Sequence, residues 1–99
     1  MRLIDAKRLF FKLRGENRID VSEDHVIDDY PERGYTVDEV IALVKAPGTF
    51  HDTTDPKYAG KRFYWRTKDI FENYVRLVVE FEEEDSGQLI LVISAGERS

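Results

Sequence analysis

The chain has 99 residues, 41% hydrophobic and 12% aromatic, and no cysteine. That is one domain's worth of sequence with enough apolar residues for a single core. It excludes a disulfide framework, a thiolate metal site and a thiol nucleophile. Its 15 Lys+Arg against 20 Asp+Glu leave a net charge of −5, which argues against indiscriminate binding to nucleic acid.

Charge is unevenly placed, however. Arg2, Lys7, Arg8, Lys12, Arg14 and Arg18 face only Asp5 and Glu16 over residues 1–18, and residues 57–68 hold Lys57, Lys61, Arg62, Arg66 and Lys68 with no acid. The acids gather in 20–39 and 80–85. A local field can therefore be positive on an acidic chain. The first residues carry no continuous apolar run, and no stretch approaches the roughly 20 apolar residues of a membrane helix. The expectation is a soluble cytoplasmic protein with no membrane partner.

In chain order, Leu3, Ala6, Phe10 and Leu13 share one face of a helix flanked by basic residues. Gly15 and Asn17 end it, and residues 18–21 extend briefly. "SEDHVIDDY" reads as a second helix with Ser22 as its N-cap and acids in its first turn, closed by Pro31 and a turn at Gly34. "TVDE" at 36–39 is a capping box, and Val37, Val40, Ile41 and Val44 make the apolar stripe of a helix stopped by "APG" at 46–48.

From there the period changes to two. "TFHDTT" is a short strand, Asp55 to Gly60 a turn, and "KRFYWRT" a strand with Phe63 and Trp65 on one face and Arg62, Tyr64 and Arg66 on the other. "KDIFENY" connects to "VRLVVEFEEE", which alternates again. "EDSG" is a hairpin turn, and the nearly all-apolar "QLILVISA" belongs in the centre of the sheet. The expected fold is α+β, with two or three N-terminal helices packed on a roughly four-stranded antiparallel sheet.

Several residue groups can carry chemistry. As a strand, Arg62, Tyr64 and Arg66 project together about 7 Å apart. Two forked guanidiniums flanking a phenol suit a phosphate or RNA, although exposed sheet faces often look like this without a ligand. His25 opens a helix among Glu23, Asp24, Asp28 and Asp29. It is either an acid/base group or a capping histidine. His25, Asp28 and Asp29 share a helical face, and "HD" recurs at His51–Asp52. With no HExxH pattern they read as solvated acids, so neither a metal nor another cofactor is expected. Ser94 ends the last strand with no GxSxG elbow around it, so it suits a phosphate hydrogen bond better than nucleophilic attack.

"HVIDDYPERGYTVDEVIALVKAPG", the extended "GKRFYW" and "VRLVVEFEEEDSGQLILVISA" together resemble a group of small bacterial domains related to the BrnT and RelE toxins. These belong to the wider barnase/EndoU/colicin/RelE-like nuclease superfamily. The resemblance covers residues 20–96 of a single domain and leaves the basic helix of residues 1–17 outside it. It implies a metal-independent ribonuclease, in which a 2′-hydroxyl attacks the adjacent phosphate. In that frame His25 matches the helical histidine, Arg62 the basic residue after Gly60 with Lys61 beside it, and Ser94 the strand-end hydroxyl. Tyr64 and Arg66 join them from strand geometry. The expected function is a toxin-type ribonuclease or an inactive relative that still binds RNA, with RNA and an antitoxin or other protein as partners. The alternative is a non-enzymatic protein-interaction domain, dimeric through its sheet edge or first helix.

Overall fold

The computed structural model describes residues 1–21 and 36–98, with side chains as far as Ser94. The chain runs α1 (Leu3–Gly15), β1 (Ile19–Val21), α2 (Val37–Lys45), β2 (Gly48–Asp52), a 3-10 turn (Pro56–Tyr58), β3 (Arg62–Lys68), β4 (Tyr74–Glu83) and β5 (Leu89–Arg98). The second helix expected at residues 22–30 lies outside the described residues, as do Pro31 and Gly34. No helix among the described residues is long and apolar enough to cross a membrane.

Both helices begin and end where local chemistry directs. In α2 the Thr36 hydroxyl accepts from the Glu39 N–H (3.1 Å), while the Glu39 carboxylate accepts from the Thr36 N–H (3.2 Å). Two donors that the first turn leaves unpaired are thus satisfied together. α1 has no such cap, but Asp5 sits in its first turn and Lys12 and Arg14 in its last, each at the favourable end of the helix dipole. Asn17 then takes the left-handed conformation, φ 56°, that turns the chain out of the helix.

The sheet is mixed and five-stranded, in the order β1-β5-β4-β3-β2. This corrects the expected antiparallel sheet of about four strands. Residues 18–21 do extend, and they become a fifth strand: Ile19, Asp20 and Val21 pair in parallel with Leu91, Val92 and Ile93. The Arg18 carbonyl accepts from the Leu91 N–H (3.0 Å), and the Arg18 guanidinium donates to the Leu89 carbonyl (2.8 Å). Three residues are too few to show a period of two, so only the partner strand reveals them. β5 is interior, as its apolar run requires, but the middle position belongs to β4.

One face of the sheet is packed. Ala6, Phe10 and Leu13 of α1 and Val40, Leu43 and Val44 of α2 are buried in one cluster with Phe50, Phe63, Trp65, Val75, Leu77, Val79, Leu91 and Ile93. Trp65, 1% exposed, is the largest fully buried side chain. Its ring centroid lies 4.7 Å from that of Phe10, and its indole N–H donates to the Leu43 carbonyl (3.0 Å). Gly48 is required beside it, because a Cβ there would meet the Trp65 ring and the Arg66 carbonyl.

Because Phe10 is fully buried and rings with both Phe50 and Trp65, Phe10→Ala should lower unfolding stability by about 3–5 kcal/mol. Thr36→Ala should cost about 1 kcal/mol. Urea unfolding followed by tryptophan fluorescence measures both.

Candidate nucleic-acid interface

The period-two alternation of β3 decides what faces away from the helices. Phe63, Trp65 and Thr67 turn inward and are buried, so Arg62, Tyr64, Arg66 and Lys68 turn outward. The neighbouring strands add to that outer face in register. Arg62 lies opposite Glu80, Tyr64 opposite Val78, Arg66 opposite Arg76 and Lys68 opposite Tyr74. On the other side of β3, Thr49 lies opposite Arg66 and His51 opposite Tyr64.

Cations and phenol rings are paired across this face. The Arg62 guanidinium stands 3.7 Å from the centroid of Tyr58, and the Arg76 guanidinium 4.5 Å from that of Tyr64. Lys68 Nζ is 4.9 Å and the Arg66 guanidinium 5.8 Å from the Tyr74 ring. A ring beneath a cation stabilises it by about 0.5–1 kcal/mol at an exposed site, and it holds a long side chain in place. Arg62 also reaches Glu80 at 3.7 Å. The Nε atoms of Arg62 and Arg76 are buried without a hydrogen-bond partner, so neither guanidinium has its donors saturated.

Arg66 and Arg76 face each other directly across β3 and β4. Like charges directly opposite on one face destabilise a strand pair. Beside this pair, at the start of β2, is a cavity of about 570 Å³. Pro47, Gly48, Thr49, Arg66, Lys68 and Tyr74 are among its walls. The Thr67 hydroxyl, which also lines it, donates to the Pro47 carbonyl (2.8 Å) and ties that end of β2 to β3.

The structure brings together three of the residues singled out from sequence, Arg62, Tyr64 and Arg66. Lys61 is exposed in the turn before β3, its N–H donating to the Tyr58 carbonyl (2.9 Å). Ser94 lies on the same face, in the row His51–Tyr64–Val78–Ser94, but is only 8% exposed. It is therefore a buried residue beside the open surface over β2 to β4. His25 lies outside the described residues, as do Asp28 and Asp29.

Four further residues belong to this face and were not singled out for it. Tyr58 and Tyr74 lie in what reads as turn and connection, Arg76 within an apolar strand, and His51 figures only in an "HD" pair. Register with β3 brings Tyr74, Arg76 and His51 to this face, and Tyr58 joins through its ring beneath the Arg62 guanidinium. His51 is exposed, with Nε2 2.7 Å from the Thr49 hydroxyl. Among the described residues no group of three or more His, Cys, Asp or Glu could hold a metal. The cations of α1 lie elsewhere: α1 packs by Ala6, Phe10 and Leu13 on the opposite side of the sheet, leaving Lys7, Arg8 and Lys12 exposed there.

No protein-family model matches the chain, and neither the curated proteins nor the solved structures compared with it give a match.

Arg62 and Arg76 are half-buried and make surface contacts. Arg62→Ala and Arg76→Ala should therefore each change unfolding stability by no more than about 1 kcal/mol. Thermal melts within several degrees of wild type are the expected result, so a loss of binding in these variants reports on the surface and not on the fold.

Proposed function

We propose that the outer face of β2, β3 and β4 binds single-stranded RNA. The observation that carries this reading is the in-register facing of Arg66 and Arg76 within a field of cation–phenol pairs. Arginines and Lys68 meet phosphates, and the tyrosines offer planes on which bases stack. That combination suits unpaired strands and tolerates many sequences. The net charge of −5 is no obstacle, because exposed charges beyond about 10 Å are largely screened at 0.1 M salt.

Cleavage is a further demand on the same surface. In metal-independent scission the 2′-oxygen loses its proton to a base and bonds to phosphorus as the bond to the 5′-oxygen breaks, and that oxygen takes a proton from an acid. Cations must hold the charge of the five-coordinate phosphorus. Arg62, Arg66 and Arg76 are suited to that last role. His51, opposite Tyr64, is the described imidazole on the face. The relationship to RelE- and BrnT-type ribonucleases rests on the sequence pattern and is proposed on that basis.

A non-enzymatic protein-interaction role has one observation in its favour. Ile70 and Phe71, adjacent in the β3–β4 connection, are 89% and 77% exposed, more than stray surface apolar residues require.

The deciding experiment is fluorescence anisotropy with a labelled single-stranded RNA across a salt series. Three or four phosphate contacts predict a slope of log K against log salt of about −2 to −3. Arg62→Ala/Arg76→Ala should weaken binding at least about tenfold and flatten that slope by roughly 1.4. Equal binding by wild type and variant removes the face from the reaction. Incubation of end-labelled RNA in EDTA then tests cleavage, and His51→Ala separates it from binding: cutting lost with affinity kept marks a catalytic imidazole.

A further inference from the structure

The cavity at the start of β2 is not explained by a flat RNA-binding face. It has the volume of a small-molecule site, about 570 Å³, and its walls are of two kinds. Pro47, Gly48 and the Tyr74 ring give apolar and aromatic surface, while Lys68, Arg66 and the Thr49 hydroxyl stand beside them. Gly48 keeps the start of β2 close against Trp65 and the Arg66 carbonyl, where any side chain would push the strands apart. Tyr74 is 52% exposed, so its phenol is open to a partner. Lys68 Nζ stands 4.9 Å from that ring, within reach of a phosphate attached to whatever stacks there.

We infer that this cavity takes one unstacked nucleotide, its base against Tyr74 and Pro47 and its phosphate on Lys68 beside Arg66. The inference rests on the RNA reading and sharpens it, because it names what the surface selects. A strand must turn one base out of its own stack to fill the cavity. Single strands do this readily, and duplexes must first unpair. The face of β3 and β4 then holds the flanking phosphates, and the cavity sets the register of the strand upon it. Thr49, on the edge strand at the rim, supplies a hydroxyl donor or acceptor to the base edge.

The test uses the full chain and two probes. Uridine 5′-monophosphate is titrated into labelled protein and followed by amide NMR shifts. A single-stranded RNA and a blunt duplex of the same sequence are compared by anisotropy. The expected result is shifts centred on Gly48, Thr49 and Lys68, with the single strand bound at least tenfold more tightly than the duplex. Tyr74→Ala should lose about tenfold in single-strand affinity, the order of one base–aromatic stack, with the salt slope unchanged. Tyr74→Phe should keep wild-type affinity. Thr49→Phe, which fills the cavity from an exposed position and removes no ring, should lose the mononucleotide shifts.

Absence of shifts at these residues overturns the inference, as does a Tyr74→Ala variant that binds single strands as tightly as wild type. Equal affinity for the duplex also overturns it. In each of those cases the RNA reading stands if Arg62→Ala/Arg76→Ala still weakens binding at least about tenfold and flattens the salt slope. If the wild type binds no RNA, the RNA reading fails by itself. Mononucleotide shifts at Gly48, Thr49 and Lys68 would then retain a nucleotide site, and their absence would remove it.

Discussion

The structure depends on the seating of one tryptophan. Trp65 is on β3, yet its indole N–H is bonded to the end of α2 through the Leu43 carbonyl, and its ring lies against Phe10 of α1. It faces Phe50 across the β2 pairing, and Gly48 leaves room for its six-membered edge. One side chain thus fixes two helices and the edge strand to β3. A buried indole must satisfy its N–H or lose roughly 1–3 kcal/mol, so the bond to Leu43 sets orientation as well as proximity. Once Trp65 points inward, the pleat sends Tyr64 and Arg66 outward. The chemistry of the exposed face is a consequence of how the core is anchored.

The same alternation sorts charge on an acidic chain. Outward positions of β3 and the first half of β4 are cationic or phenolic except for Val78, whereas Glu82, Glu83, Glu84 and Asp85 are displaced to the far end of the β4–β5 hairpin. There Glu84 is engaged by Arg18 at 3.1 Å, which draws the hairpin toward β1. Glu80 lies within the basic face and is paired with Arg62. The sheet therefore separates three regions: a buried aromatic layer, a basic face and an acidic end. The cations of α1 form a fourth on the far side. An extended strand bound to the outer face cannot reach them without passing around a sheet edge, so they do not enlarge that surface.

Much of this was legible from residue order because the determining interactions are local. The capping box at Thr36, the stop at Pro47 and the period of two in "KRFYWRT" each depend on neighbours in sequence, and each has its structural counterpart. What was not legible depends on pairing between distant segments. Ile19–Val21 is a strand only because β5 offers it a parallel edge. Tyr74 and Arg76 join the site only because β4 places them opposite Lys68 and Arg66, and His51 only because β2 places it opposite Tyr64. Ser94 shows the converse: strand periodicity puts it on the right face, and only the packed structure shows that it is buried. A cation stacked on a ring from another strand leaves no periodic trace in the sequence.

The arrangement also has a consequence for affinity. Arginine and lysine lose up to about 2 kcal/mol of side-chain entropy when a ligand immobilises them. Here Arg62 and Arg76 already rest on Tyr58 and Tyr64, so part of that ordering is complete before a ligand arrives. Arg66 and Arg76 face each other in register across β3 and β4, strands that Trp65 and its neighbours hold together from the other face. A preorganised pair of like charges gains most from a ligand that brings negative charge at regular spacing, and a phosphodiester backbone does so. The stability that the inner face supplies thereby holds cations and rings in register on the outer face.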